Sequence, residues 1–289
     1  MKVAFIGIGA MGKPMAANIA KAGLELSVFD SDSKRTAAVA AEIGARPLHR
    51  LSDIATAEVI VTMLPDGHAV REIALGSGGI AAVCAPGTIL VDMSSSQPLV
   101  TRETGAALAA KGITLVDAPV SGGVERATRG TLTIMLGSND PAALNKVRSV
   151  LECMGNTFFE VGGLGAGHVA KALNNVVAAA NYAALAEAML VAERYGVEPK
   201  QLVDIINTST GQSFISTVVM KQFVIPGTYN SGFKIGLLAK DAAIAGELSS
   251  ALNCEAPVIQ LTRQRWVDAR NALGAAEDHS KAITVWRKK

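Results

Sequence analysis

The sequence predicts an α/β protein: an N-terminal doubly wound parallel sheet, then an all-α C-terminal domain led by one long helix. Three observations point there. Short, solidly apolar runs alternate with helix-like stretches through the first half of the chain. A glycine-rich turn, Gly7-Ile8-Gly9-Ala10-Met11-Gly12, joins the first of these runs to the first helical pattern. From residue 165 onward the strand-like runs stop, and an alanine- and leucine-rich periodicity of helical spacing takes over.

Taken in order, the strand candidates are residues 3–6, 26–29, 59–64, 89–93 and 114–116. Each is apolar without alternation, as expected of a strand covered on both faces in a parallel sheet. Residues 132–136, closed by Gly137, read as a sixth strand, and 157–161 as a seventh. The stretch 165–195 holds no proline and keeps its periodicity for about eight turns. That is too long for a sheet-covering connector, so it is expected to lead a helical domain continuing through 199–207, 213–223, 234–252 and 256–272. The expected domains are 1–163 and 164–289, meeting at a packed junction near 162–165.

Composition narrows the function classes. Apolar residues make up 49% of the chain and aromatics only 4%, so small side chains must do most of the packing. A net charge of +2 without a basic run offers no footprint for nucleic acid or an anionic membrane. Cys84, Cys153 and Cys254 are far apart and odd in number, which suits buried apolar thiols rather than disulfides or a CxxC site. His49, His68 and His279 show no metal-ligand spacing, and no metal is expected. With no signal-like N-terminal region and no uninterrupted apolar run of membrane length, a soluble, cytoplasmic enzyme is expected.

The glycine turn has a specific physical reading. Glycine at positions 7, 9 and 12 permits a tight turn, close approach of backbone to a pyrophosphate, and close packing of helix on strand. The helix N-terminal amides would hold the phosphates. This is the Rossmann fingerprint of a dinucleotide site. Asp30 closes the second strand eighteen residues past Gly12, where a carboxylate bonds ribose hydroxyls and repels a 2′-phosphate. NAD is the expected cofactor. Lys34 and Arg35 lie just beyond, able to meet a 2′-phosphate if the loop folds back, so NADP stays open.

Residues 5–19, Phe-Ile-Gly-Ile-Gly-Ala-Met-Gly-Lys-Pro-Met-Ala-Ala-Asn-Ile, resemble the N-terminal signature of the β-hydroxyacid dehydrogenase family, with Ile8 where leucine is usual. Four further blocks carry the resemblance along the chain: 63–65 (Met-Leu-Pro), 91–95 (Val-Asp-Met-Ser-Ser), 117–123 (Asp-Ala-Pro-Val-Ser-Gly-Gly), and 167–175 with Lys240-Asp241. The resemblance implies an NAD(P)-dependent oxidoreductase of small 3-hydroxy acids and their semialdehydes, acting as a homodimer or homotetramer. It assigns Gly7 to Gly12, Asp30, Met63, Leu64, Pro65 and Ser95 to the cofactor, Ser121, Gly122 and Gly123 to the substrate carboxylate, and Lys240 to both.

The resemblance also makes Lys171 and Asn175 the catalytic pair. Four residues apart on the long helix, they share one face. Hydride transfer from an alcohol requires removal of the hydroxyl proton, and the reverse reaction requires its return. Lysine is a poor base near neutrality at its ordinary pKa, but desolvation and a cationic neighbour, for which Lys240 is a candidate, lower it. Asn175 would orient the substrate oxygen. His168, one turn before Lys171, reads as a surface or packing residue. Glu125, Arg126, Gln212 and Phe233 are unranked candidates for shaping the pocket. Two alternatives remain at this stage: a non-catalytic dinucleotide-binding module, and an NADPH imine reductase of the same fold. Retention of Lys171, Asn175, Ser121 and the paired glycines argues against both.

Overall fold

The computed structural model describes residues 1–287. In chain order it contains β1 (Lys2–Ile6), α1 (Gly12–Lys21), β2 (Glu25–Phe29), α2 (Ser33–Ile43), β3 (Arg46–Pro47), β4 (Val59–Thr62), α3 (Gly67–Leu75), α4 (Ile80–Val83), β5 (Ile89–Asp92), α5 (Pro98–Ala109), β6 (Thr114–Asp117) and β7 (Val120–Ser121). There follow α6 (Gly123–Arg129), β8 (Leu132–Gly137), α7 (Pro141–Glu152), β9 (Gly155–Gly162), α8 (Ala166–Tyr195), α9 (Pro199–Asn207), a π-helix (Ile215–Val224), α10 (Ile235–Ala251), α11 (Pro257–Leu273) and α12 (Ile283–Trp286). The chain forms two compact units, Met1–Lys171 and Ala172–Lys289, dividing within α8.

The first unit is built on a nine-stranded sheet of order β3-β2-β1-β4-β5-β6-β8-β7, with β9 paired to β8. β1 shows why its run is apolar without alternation. Val3 and Phe5 join a core with Met15 and Ile19 of α1 and Val147 and Leu151 of α7. Ala4 and Ile6 point the other way, into a second core with Val70 of α3 and Leu108 of α5. With both faces covered, every position is selected for burial. From β1 the chain winds to β2 and β3 on one side, while β4 pairs on the other. The carboxyl ends of β1 and β4 therefore form the switch point where doubly wound sheets bind ligands.

Two features of the sheet depart from the sequence reading. The two-residue strands β3 and β7 were not expected, and β8 runs antiparallel to β6 and β7 rather than parallel. A parallel return needs a full crossover helix, and only the seven-residue α6 lies between β7 and β8.

The second unit is helical. Tyr182 of α8, Trp266 of α11 and Trp286 of α12 meet edge to face, with Tyr182 and Trp266 centroids 5.2 Å apart. Their polar ends are satisfied: Tyr182 donates to the Ser280 carbonyl at 2.6 Å and Trp266 to that of Ala179 at 3.0 Å. Where an α-helix was expected at 213–223, the chain forms a π-helix, whose wider turn places Ile215, Val219, Met220 and Val224 all in the core. At its start Ser213 and Ser216 exchange hydrogen bonds between side chain and backbone.

Although α8 is interrupted by Lys171, Asn174, Asn175, Asn181 and Glu187, its overall character is apolar. Among the described residues it is long and apolar enough, by length and composition, to cross a membrane. Its apolar character has a packing cause: Ala179, Tyr182, Leu185, Ala186 and Met189 line the core of the second unit. The expectation of buried thiols is corrected: Cys84 and Cys153 are half-buried and Cys254 is exposed.

Candidate active site

The first unit carries a cradle at the β1–α1 turn, and its three glycines are required for three different reasons. Gly7 has φ +91°, and a side chain there would overlap the Met63 carbonyl at the end of β4. A Cβ on Gly12 would collide with the Gly7 carbonyl, so strand and helix close on each other only with glycine. Above Gly9 there is open space to at least 4 Å. The first turn of α1 has no side-chain cap; its Lys13 amide donates to the Gly9 carbonyl at 3.0 Å and Pro14 carries no amide hydrogen. An anionic dinucleotide needs an uncluttered approach to the backbone of this kind at a helix N-terminus.

Asp30 is buried at the end of β2 and ties this turn to the next. One oxygen accepts from the Ile8 amide at 3.1 Å, and the other from the Asp32 amide at 3.0 Å and Arg35 Nη1 at 3.1 Å. Arg35 also pairs with Asp32 at 3.6 Å. The guanidinium that the sequence offered to a 2′-phosphate is thus held on the carboxylate expected to take the ribose.

The loops after β4 and β5 are organised by Asp92, which sequence reasoning had not singled out. It is buried, accepting from Thr62 Oγ1 at 3.0 Å, the Ser94 amide at 3.0 Å and Ser96 Oγ at 2.7 Å. Ser94 Oγ in turn accepts from the Leu64 amide at 2.9 Å. Residues 63–65 and 94–96, where the expected cofactor residues Met63, Leu64, Pro65 and Ser95 lie, are thereby fixed against each other.

At the end of the neighbouring strand, Asp117 performs a similar task. Its two oxygens accept from the Gly165 amide at 2.7 Å and the His168 amide at 2.9 Å, capping α8 from forty-eight and fifty-one residues away. Gly137 and Gly167 make room, since a side chain at either would overlap this carboxylate or the Met135 carbonyl. Burial pushes the Asp117 carboxyl up, while the adjacent His168 ring and the two amides pull it down. Ser121 ends β7, followed by Gly122 at φ +138° and Gly123 at φ +66°. The space over Gly123 is open, so a carboxylate can reach the backbone there. Arg126, one of the unranked pocket candidates, lies against Gly122 and donates to the Thr131 carbonyl at 2.8 Å.

In the second unit Asn175 is buried, and its Nδ2 donates to Asp241 Oδ2 at 2.6 Å. Asp241, only 3% exposed, is the third carboxylate that the sequence reading left without a role. Its Oδ1 lies 3.4 Å from Lys240 Nζ. Because Asp241 takes the amide nitrogen, the Asn175 side chain has a fixed orientation, with Oδ1 accepting from Asn174 at 3.1 Å. Lys171, half-buried, is one turn earlier on α8. Phe233 packs edge to face on His279. Among the described residues no group of three His, Cys, Asp or Glu is placed to hold a metal ion.

Comparison with known proteins decides what this arrangement belongs to. Residues 2–163 match the family model for the NAD binding domain of 6-phosphogluconate dehydrogenase. Residues 165–286 match the model described as NAD-binding of NADP-dependent 3-hydroxyisobutyrate dehydrogenase. The chain is 38% identical to 2-(hydroxymethyl)glutarate dehydrogenase of Eubacterium barkeri, covering 99% of this chain and 95% of the relative. The chain belongs to the β-hydroxyacid dehydrogenase family. A 3-hydroxyisobutyrate dehydrogenase of Pseudomonas aeruginosa is 37% identical, with 90% of this chain and 89% of the relative aligned. Among solved structures, the Mycobacterium tuberculosis 3-hydroxyisobutyrate dehydrogenase with L-serine superposes with a TM-score of 0.91 at 32% identity, each chain covered to 99%. This β-hydroxyacid dehydrogenase is therefore an NAD(P)-dependent oxidoreductase, and the Rossmann and helical parts predicted from its sequence are those of its relatives.

Proposed function

We propose that this dehydrogenase interconverts a small 3-hydroxy acid and its semialdehyde, of the 3-hydroxyisobutyrate, tartronate semialdehyde or threonate type, using Lys171 as general acid and base. The two relatives' names supply the substrate logic. 2-(Hydroxymethyl)glutarate and 3-hydroxyisobutyrate share an alcohol on the carbon β to a carboxylate. The observation that carries the reading is the buried Asn175–Asp241 hydrogen bond, which fixes a catalytic-type amide one turn from a half-buried lysine.

When bound, the nicotinamide supplies hydride acceptance or donation at the carbinol carbon. The turn from Gly7 to Gly12 receives its pyrophosphate, with Asp30 at the ribose and Met63, Leu64, Pro65 and Ser95 alongside. Ser121, Gly122 and Gly123 bind the substrate carboxylate through a hydroxyl and backbone amides. Lys171 Nζ takes the hydroxyl proton in oxidation and returns it to the developing alkoxide in reduction. Asn175 orients that oxygen, and Lys240 contributes positive charge for the substrate and cofactor. A screen of C3 and C4 hydroxy acids and semialdehydes with both nicotinamides tests the assignment; turnover of imines alone would refute it.

NAD(H) is expected in preference to NADP(H), because Asp30 presents a carboxylate where a 2′-phosphate would lie. The check is kcat/KM for both cofactors under identical conditions. A tenfold preference for NADP(H), about 1.4 kcal/mol, would overturn the assignment and implicate Lys34 or Arg35.

Asp241→Asn is expected to lower kcat by about tenfold or more, since an amide in place of the carboxylate no longer demands the Asn175 Nδ2 donor and the side chain loses its fixed orientation. Steady-state kinetics beside a nucleotide titration check this, and a parental kcat would remove the orienting role of the pair.

We also infer a homodimer or homotetramer in the cytoplasm. Val177, Val191 and Tyr195 on α8 and Val258 and Leu261 on α11 are exposed by 59%, 68%, 88%, 67% and 66%, more apolar surface than a lone helical unit ordinarily leaves to water. Light scattering at micromolar concentration should return a multiple of the 29.8 kDa chain mass; a monomer mass would contradict the inference.

A further inference from the structure

We propose that His168 is a positioning residue for proton transfer: its ring, locked among the ends of β5 and β6 and against α5, sets the first turns of α8 and through them the placement of Lys171. The proposal rests on the assignment of proton transfer to Lys171. The sequence reading gave His168 a surface or packing role, and the structure excludes the surface: the side chain is fully buried. Its Nδ1 lies 2.9 Å from Thr101 Oγ1 of α5, and its Nε2 faces Asp92 Oδ2 at 3.5 Å. Asp117 Oδ2 lies 3.8 Å from Nδ1 while accepting from the His168 amide. Thr101 Oγ1 is also 3.1 Å from the Gln97 carbonyl, to which it donates. That leaves Nδ1–H as the natural donor to Thr101, an arrangement that aims the other nitrogen at Asp92.

These contacts reach α8 from three elements at one residue. Lys171 follows three residues later, about 4.5 Å along the axis and on the same side of the helix. A ring hydrogen-bonded to α5 and packed between the ends of β5 and β6, on a residue whose amide is bonded to Asp117, therefore fixes both the rotation and the axial position of the turn that carries the lysine. Nε2 has no hydrogen-bond partner within normal distance although it is buried, a cost that packing alone would avoid with an apolar residue. Asp92 also ties down the loops at 63–65 and 94–96, so the same carboxylate that organises the expected cofactor loops faces the anchor of the lysine helix. Proton transfer depends steeply on this placement, since a displacement of about 1 Å costs up to about 10²-fold in rate.

The test compares full-length His168→Leu, His168→Gln, Thr101→Val and Lys171→Ala with the parent. The readouts are Tm, NAD Kd by fluorescence titration, and kcat and KM on the best substrate of the screen. His168→Leu should lower kcat by about tenfold or more, with NAD Kd and substrate KM within about threefold. His168→Gln, which restores a donor and an acceptor, should recover most of that loss. A folded His168→Leu enzyme at parental kcat overturns the proposal, as does a parallel loss in kcat, Kd and Tm without recovery by glutamine. If His168→Leu does not fold, Thr101→Val decides: a fall of about threefold in kcat at unchanged Kd supports the anchor, and a parental kcat overturns it. Turnover surviving in Lys171→Ala removes the lysine assignment and the positioning role with it. An inactive Lys171→Ala beside a fully active His168→Leu removes the positioning role alone.

Discussion

Lys171→Ala is expected to lower kcat by about 10²- to 10⁴-fold, the usual contribution of general acid–base catalysis, while NAD affinity stays close to that of the parent. The two effects separate because the phosphates are assigned to the Gly7 to Gly12 turn, whereas the lysine is assigned to the substrate oxygen. The variant should also fold. Alanine is the best helix former, and α8 extends through Tyr195, so one truncated half-buried side chain leaves its backbone intact. Single-turnover rates and a nucleotide titration on the same preparation give the comparison. A folded variant keeping more than about a tenth of the parental kcat would show that another group carries the proton.

How much of this was legible in the sequence depends on whether the cause of each feature is local. The main strands were found to within a residue or two because both faces of β1, β4 and β5 are buried, so the demand for apolar side chains is written at every position. The direction of β8 was not legible, since a solid apolar run has no polarity. The two-residue strands β3 and β7 exist only through their neighbours. The π-helix at Ile215–Val224 was read as an α-helix because four core positions in ten residues suit either winding.

The site divides in the same way. The three glycines were readable because each answers to backbone geometry within a few residues of itself. Asp92, Asp117 and Asp241 were quoted in motifs but given no work; the partners of Asp117 and Asp241 are remote, and Asp92 joins nearby Ser94 and Ser96 to Thr62, thirty residues back. Asp117 caps amides in the first turn of α8, and Asp241 meets Asn175 from another helix. A signal was nonetheless present for two of them. An aspartate closing an apolar strand, as in Leu90-Val91-Asp92 and Leu115-Val116-Asp117, is a charge headed for burial and must find several donors. Arg35, which the sequence left open to a 2′-phosphate, pairs with Asp30 and Asp32, contacts that depend on how the loop after β2 folds.

Gly9→Val is expected to weaken NAD binding by about 10²-fold or more, roughly 2.7 kcal/mol, with little change in stability. The structure makes this the informative glycine of the three. Valine at Gly7 or Gly12 would strike backbone, the Met63 carbonyl in one case and the Gly7 carbonyl in the other, so lost affinity there would be confounded with a disturbed β1–α1 junction. At Gly9 nothing lies within 4 Å of where a Cβ would stand and φ is not positive, so the new side chain starts unobstructed and projects into the space the pyrophosphate needs. Isothermal titration with NAD beside a melting curve is the measurement. An unchanged Tm with a Kd raised by about two orders of magnitude places the phosphates over this turn, and at saturating cofactor the Lys171 chemistry should then recover. A Kd within about threefold of the parent would mean that the phosphates lie elsewhere, and the open space over Gly9 would lose its explanation.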